Sequence, residues 1–293
     1  MLKKSKCFLI NSATSMAYTN KLCLVLLLTR HEYLSGLANK CLDAYFNKDT
    51  RSDFKIDVHV YINNGNNSDY ADLLHLQLHR NVENLFIKCH NLKGLDDLYA
   101  RSPSELSALK LECMPELGGS AGPNNLFFNT MIPLMDGTYK DYLMIESDTQ
   151  PLRNDWIDKI ISYGNDQKFM IAGSTYKGSQ GLPLYEAWTG HLNGVAIYRR
   201  SKFLKSFMYL SRETIKYKVT TDKNHFISFD VGMHNFLGTL TGKKYFDNPS
   251  IPENHLIDSP IISNFSLPID AQTSTVSVLE QYPGTIILHK KWS

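Results

Sequence analysis

Two carboxylates separated by one residue close an apolar run. In Tyr142-Leu-Met-Ile-Glu146-Ser147-Asp148 the chain delivers Glu146 and Asp148 at the end of what reads as a strand. If the strand persists through them, both side chains leave the same face, because strand side chains alternate. Two such charges in a partly buried cleft repel, and a divalent cation is the simplest relief. Mg²⁺ and Mn²⁺ bind through few carboxylates and leave positions for phosphate oxygens, so the pattern suits chemistry on a phosphorylated substrate. The structural alternative is a strand end whose acids cap the next turn or pair with Arg153.

Two further segments carry suitable side chains. In Thr285-Ile-Ile-Leu-His289-Lys290-Lys291-Trp292 an imidazole follows an apolar run and precedes two lysines. Imidazole can complete a metal site, and a lysine can balance phosphate charge; the alternative is a solvated basic pair. In Trp188-Thr-Gly-His191-Leu-Asn193-Gly-Val-Ala-Ile-Tyr198 a flat aromatic face sits near an imidazole and an amide between glycines. That combination suits a sugar ring, with its apolar C–H face and many hydroxyls; the alternative is a glycine turn into a core strand, with Trp188 as packing. His75 and His79 are four apart on an expected helix, but no H-E-x-x-H occurs, so they read as a polar helix face.

The elements that must position these groups alternate. Leu22–Leu28 is a continuous apolar run, expected of a strand covered on both faces. Leu34 to Phe46 has helical apolar spacing, Ile56–Ile62 alternates as a strand, Tyr70–Leu78 reads as a helix and Asn84–Cys89 as a third strand. This order implies parallel strands with right-handed crossovers. A helix is expected to open at Ser102-Pro103, a glycine-rich loop over 118–125, and a helix after Asn154 as cap. Strands are expected at 169–173, 192–198 and 285–289, with helices at 201–210 and around 231–237. The fold class is therefore α/β with a mostly parallel central sheet flanked by helices, and ligands in such sheets bind at the carboxyl edge of the strands.

Taken together, these segments resemble a nucleotide-sugar glycosyltransferase of the GT-A type. Glu146-Ser147-Asp148 is similar to that family's D-x-D element with Glu in first place, residues 191–198 resemble the acceptor-side segment, and His289 resembles the late histidine of its metal shell. The resemblance implies a GT-A (Rossmann-like) fold: an extension at 1–20 and one catalytic domain at 21–293, with a nucleotide-binding half at 22–150 and an acceptor-binding half at 151–293. It implies Mn²⁺ or Mg²⁺ held by Glu146, Asp148 and His289, with Glu146 acting through water or on the donor ribose. Thr29, Arg30, Asn63 and Lys290 or Lys291 are expected at the nucleotide or its diphosphate. Asn124, within Gly122-Pro-Asn-Asn125, is expected in a substrate-contacting loop, and Trp188, His191 and Asn193 at the acceptor. For an inverting reaction the general base is expected to be Asp230, or else Glu186. The implied partners are a nucleoside diphosphate sugar donor and a glycan or other hydroxyl acceptor, in glycan biosynthesis as a hexosyl- or pentosyltransferase. The rivals are a nucleotidyltransferase and a non-catalytic carbohydrate-binding protein.

Composition sets the outer bounds. The 293 residues are 43% hydrophobic and 20% charged, enough for a large core. Lys plus Arg is 31 and Asp plus Glu is 29, so overall charge gives no reason to expect nucleic acid or a membrane surface. Five cysteines without a C-x-x-C pattern indicate free thiols. No apolar run approaches the roughly 20 residues of a membrane span, and with no evident signal peptide the expected location is cytoplasmic. The Walker A, G-x-G-x-x-G and G-x-S-x-G patterns are missing, which argues against a P-loop enzyme, a dinucleotide oxidoreductase and an α/β-hydrolase.

Overall fold

A computed structural model describes residues 21–65, 71–100, 102–178, 191–221, 226–241 and 256–291. The 1–20 extension, Glu186 and Trp188 lie outside these residues.

The elements run β1 (Leu22–Thr29), α1 (Arg30–Leu34), α2 (Leu37–Tyr45), β2 (Ile56–Asn63), β3 (Val82–His90), α3 (Pro103–Ala108), α4 (Ala121–Leu134), β4 (Asp141–Ile145), β5 (Thr149–Pro151), α5 (Trp156–Asp166), β6 (Ile171–Gly173), β7 (Ala196–Arg199), α6 (Lys202–Thr221), α7 (Phe229–Thr241), β8 (Leu256–Asp258), β9 (Ile262–Phe265), α8 (Thr275–Gln281) and β10 (Ile287–Lys290). Seven strands form one sheet in the order β3-β2-β1-β4-β7-β6-β8. Four of its six pairings are parallel; β7 runs antiparallel to both neighbours. The expected mixed α/β architecture with a mostly parallel central sheet is therefore present, and the sheet takes strands from both expected halves of the chain.

The continuous apolar run of β1 reflects its burial on both faces. Leu22, Leu24, Leu26 and Leu28 pack on one side with α2 and α5, through residues such as Leu42, Tyr45, Trp156 and Ile160. Cys23, Val25 and Leu27 pack on the other with α4, α6 and α7, through Phe127, Met131, Phe207 and Phe229. Alternate residues of one strand thus feed two cores, so no position is left for a polar side chain until Thr29.

Several expected boundaries move. The helix expected over 34–46 is broken at Gly36, whose φ of 78° lies in the left-handed region that glycine adopts without strain. Residues 71–78 wind as a 3-10 helix. The stretch 118–125 is not a loop: a short 3-10 turn at 118–120 leads straight into α4. The cap of α5 is Asp155 rather than Asn154, with no side-chain capping bond.

β1 is followed by β2 and then β3 on one side, while β4 pairs on its other side. The order of strands therefore reverses between β1 and β4, and the crevice outside their carboxyl ends is where such sheets take ligands. A second, three-stranded sheet, β5-β10-β9, stands beside this point.

Candidate functional site

The acidic triplet follows β4 at the reversal point. The β1 end is shaped by a capping box: Glu32 accepts from the Thr29 backbone N–H and hydroxyl, both at 2.8 Å, while Thr29 Oγ1 accepts from the Glu32 N–H at 3.2 Å. The other Glu32 oxygen accepts from the Ser147 hydroxyl at 2.6 Å. One carboxylate thereby ties the end of β1 to the residue between the two acids. Beneath it, Thr149 Oγ1 donates to the Glu146 carbonyl at 2.7 Å and accepts from the Tyr45 hydroxyl at 3.2 Å. The turn carrying Glu146 and Asp148 is thus held by Glu32 on one side and Tyr45 on another.

β10 supplies the third group. It runs antiparallel to β5 with His289 opposite Thr149. His289 Nε2 lies 3.3 Å from a Glu146 oxygen and 3.1 Å from an Asp148 oxygen, and the ligand atoms of all three residues fall within 4.8 Å of one another. His289 and Asp148 are buried at 2% and 7% exposure. Burial pushes the imidazolium pKa down, but the charges of Asp148 and Glu146 outweigh it and raise it to about 10. Burial likewise opposes ionisation of Asp148, yet His289 and Lys291 hold its carboxyl well below the usual range. Neither ring nitrogen of His289 makes a directed hydrogen bond. A buried imidazole nitrogen facing two carboxylates is a donor set that a hard or borderline cation fits, with waters or phosphate oxygens completing the shell.

Strand alternation sorts the two lysines. Lys291 is on the His289 side, its ammonium 2.7 Å from the second Asp148 oxygen. Lys290 points the other way and donates to the Thr273 carbonyl. Of the two lysines expected at the diphosphate, Lys291 is therefore the one beside the acidic pair.

Other expected residues divide similarly. Arg30 is exposed at the carboxyl end of β1. It is not paired with Glu32, whose oxygens go to Thr29 and Ser147. The Thr29 hydroxyl is used in its capping box. Asn63 is 5% exposed; its amide donates to Asp97 and accepts from the Leu92 N–H at 3.1 Å, so it ties β2 to the segment after β3. Asn124 is fully buried, donating to the Ile227 carbonyl at 2.8 Å and the Leu117 carbonyl at 3.3 Å. Both amides tie backbone segments together.

His191 and Asp230, distant in sequence, meet at 3.3 Å between Nε2 and Oδ2. Asp230 lies in the first turn of α7 and accepts from the Ser228 hydroxyl and from the Val231 N–H at 2.8 Å. Burial pushes its pKa up, but His191 and these hydrogen bonds bring it below the usual value. Because β7 is antiparallel to β4, with Ala196 opposite Met144, the 191–194 segment arrives at the edge where Glu146 emerges. Gly194 is required there: a Cβ would lie 2.4 Å from the Phe229 ring. Asn193 Oδ1 accepts from the Val195 N–H at 3.0 Å and shapes this turn. The Glu32–Ser147 link is the feature of this edge that the sequence alone does not single out; the T-x-x-E spacing of Thr29 and Glu32 is its available signal.

No protein-family model matches this chain, and no curated protein matches it. In structure it is similar to mouse xyloside xylosyltransferase 1 in its apo form, with a TM-score of 0.49 and 13% identity over 92% of this chain and 97% of that one. A likeness of that degree assigns no residue a role. Among the described residues, no helix is long and apolar enough to cross a membrane.

Proposed function

We propose that this protein is a metal-dependent glycosyltransferase of the GT-A type, moving a sugar from a nucleoside diphosphate donor to a hydroxyl of a glycan or other acceptor. One observation carries the reading: Glu146, Asp148 and His289 converge at the carboxyl edge of a mostly parallel sheet, where its strand order reverses. Those three residues would hold Mn²⁺ or Mg²⁺, which supplies charge neutralisation for a departing diphosphate. Lys291 stands beside Asp148 and would share diphosphate charge, and Arg30 is exposed at the carboxyl end of β1.

In this reading the His191–Asp230 pair serves the acceptor. Asp230 alone is a weak base, since its environment favours the ionised form. Paired with it, the imidazole is the better proton acceptor for an attacking hydroxyl, with Asp230 orienting the ring and stabilising its charged state. Trp188 and Asn193 belong to the same acceptor segment in this reading. The test is a thermal-shift panel of nucleoside diphosphate sugars with and without Mn²⁺. A native-state ligand raises the melting temperature, so a donor should stabilise the protein only with the metal. Uniform indifference of the protein to every donor and to Mn²⁺ refutes the reading.

A further inference from the structure

A cleft of about 530 Å³ opens at the sheet edge opposite the acidic cluster. It is bounded by the loop 51–55 that leads into β2, by Arg80 and Asn81 before β3, and by the start of α5. The eight residues of β2, at about 3.3 Å each, separate the two edges by roughly 25 Å. The cleft is therefore distinct from the site described above.

Its floor is preorganised. The buried Asn81 amide donates to the carbonyls of Ser52 at 2.8 Å and Phe54 at 3.0 Å, and Ser52 Oγ accepts from the Phe54 N–H at 3.0 Å while donating to Asp158. Arg51 N–H donates to the Asn154 carbonyl at 2.8 Å, fastening the loop to the approach of α5. Held on this floor, Phe54 is 49% exposed. An aromatic ring kept half in water by a bonded loop is available as a stacking face.

The lining has three cationic side chains, Arg51, Lys55 and Arg80, and three anionic ones, Asp53, Asp155 and Asp158. With no net charge, the cleft gives a polyanion no long-range attraction. Arg80 donates to the Thr50 carbonyl, Asp158 accepts from Ser52 and Asp155 pairs with Lys159, so the guanidinium of Arg51 and the carboxylate of Asp53 are the planar, bidentate groups whose geometry matches adjacent hydroxyls on a ring. We propose that this cleft is a second carbohydrate site that takes an uncharged oligosaccharide, with a sugar ring against Phe54 and its hydroxyls among the charged rim. The proposal stands apart from the transferase reading, because binding here needs neither donor nor metal.

The test uses labelled full-length protein in EDTA on an array of immobilised neutral oligosaccharides, with sulfated and sialylated counterparts. Retention on at least one neutral oligosaccharide is expected. Phe54→Ala and Asp53→Ala should each weaken that binding at least ten-fold with the melting temperature unchanged; if Phe54→Ala unfolds, Asp53→Ala decides. Three results overturn the proposal: no neutral oligosaccharide retained, retention of charged glycans only, or equal retention of both variants and wild type, which would locate binding on the acceptor side. If donor turnover fails while Phe54-dependent retention persists, only the transferase reading falls.

Discussion

Loading the acidic cluster with Mn²⁺ should expel a proton, and the number follows from the geometry. His289 Nε2 sits against Glu146 and Asp148, and its pKa is raised to about 10. At pH 7.5 the ring is therefore essentially fully protonated, whereas a metal ligand must be neutral imidazole. Binding one Mn²⁺ should release about one proton per site, with apparent affinity rising about ten-fold per pH unit up to the imidazole pKa, ~1.4 kcal/mol each. Linkage gives the matching effect on the metal-free fold. The folded pKa exceeds the unfolded 6.5, so this ion pair stabilises fully below pH 6.5 and its contribution is lost as pH rises through about 10. The assay is isothermal titration with MnCl₂ in buffers of different ionisation enthalpy at one pH, where the slope of enthalpy against buffer enthalpy counts protons. His289→Gln should release none and bind Mn²⁺ more than roughly 100-fold more weakly, because losing a ligand exceeds the usual loss for an outer-shell partner. A zero slope for the wild type, or an unchanged slope in His289→Gln, refutes the reasoning.

Other perturbations test other parts of the account. Asp148→Asn should lower the stability of the metal-free protein by about 3–5 kcal/mol in urea melts, because His289 and Lys291 lose the carboxylate they share. His59 is lowered to about 4, chiefly by burial, so the unfolded chain binds the extra proton; stability should fall from pH 6.5 towards 4, by about 3 kcal/mol for this residue, and His59→Gln should flatten that part of the profile. Gly194→Ala should cost about 1–3 kcal/mol in a thermal melt, since the added methyl drives Phe229 against Phe127, already stacked at 3.8 Å. In native alkylation followed by mass spectrometry, exposed Cys113 should be labelled, while buried Cys41, its thiol pushed up to about 12 chiefly by burial, should stay protected.

The sheet was legible because β1 and most of β4 are apolar runs that end where the chain reaches the carboxyl edge, while β2 alternates. Glu146, Asp148 and His289 could be selected from type and position alone. Their meeting depends on β10 pairing with β5, a long-range contact without a local signature. The same pairing decides between Lys290 and Lys291: the sequence offers both, and only the register of β10 puts one on each face. For Asn63 and Asn124 a polar residue near a loop reads equally as a ligand contact or as a tie between backbone segments; burial bears on that choice, and burial is tertiary. The glycine-rich 118–125 stretch read as a loop from composition, yet packing against the segment around Asp97 and Leu98 makes it the entrance to α4. His191 and Asp230 share no local signal, and their contact follows from the antiparallel course of β7 beside β4.

The central claim is that the three-residue cluster supports sugar transfer from a nucleoside diphosphate donor. Release of nucleoside diphosphate from the donor that most stabilises the protein tests it most directly, with chelator-stripped wild type and Asp148→Asn measured side by side and Mn²⁺ then added back. The account predicts turnover by the wild type only with the metal, and none by the variant under either condition. Equal turnover before and after addition of Mn²⁺, or wild-type turnover by Asp148→Asn at limiting metal, would contradict it.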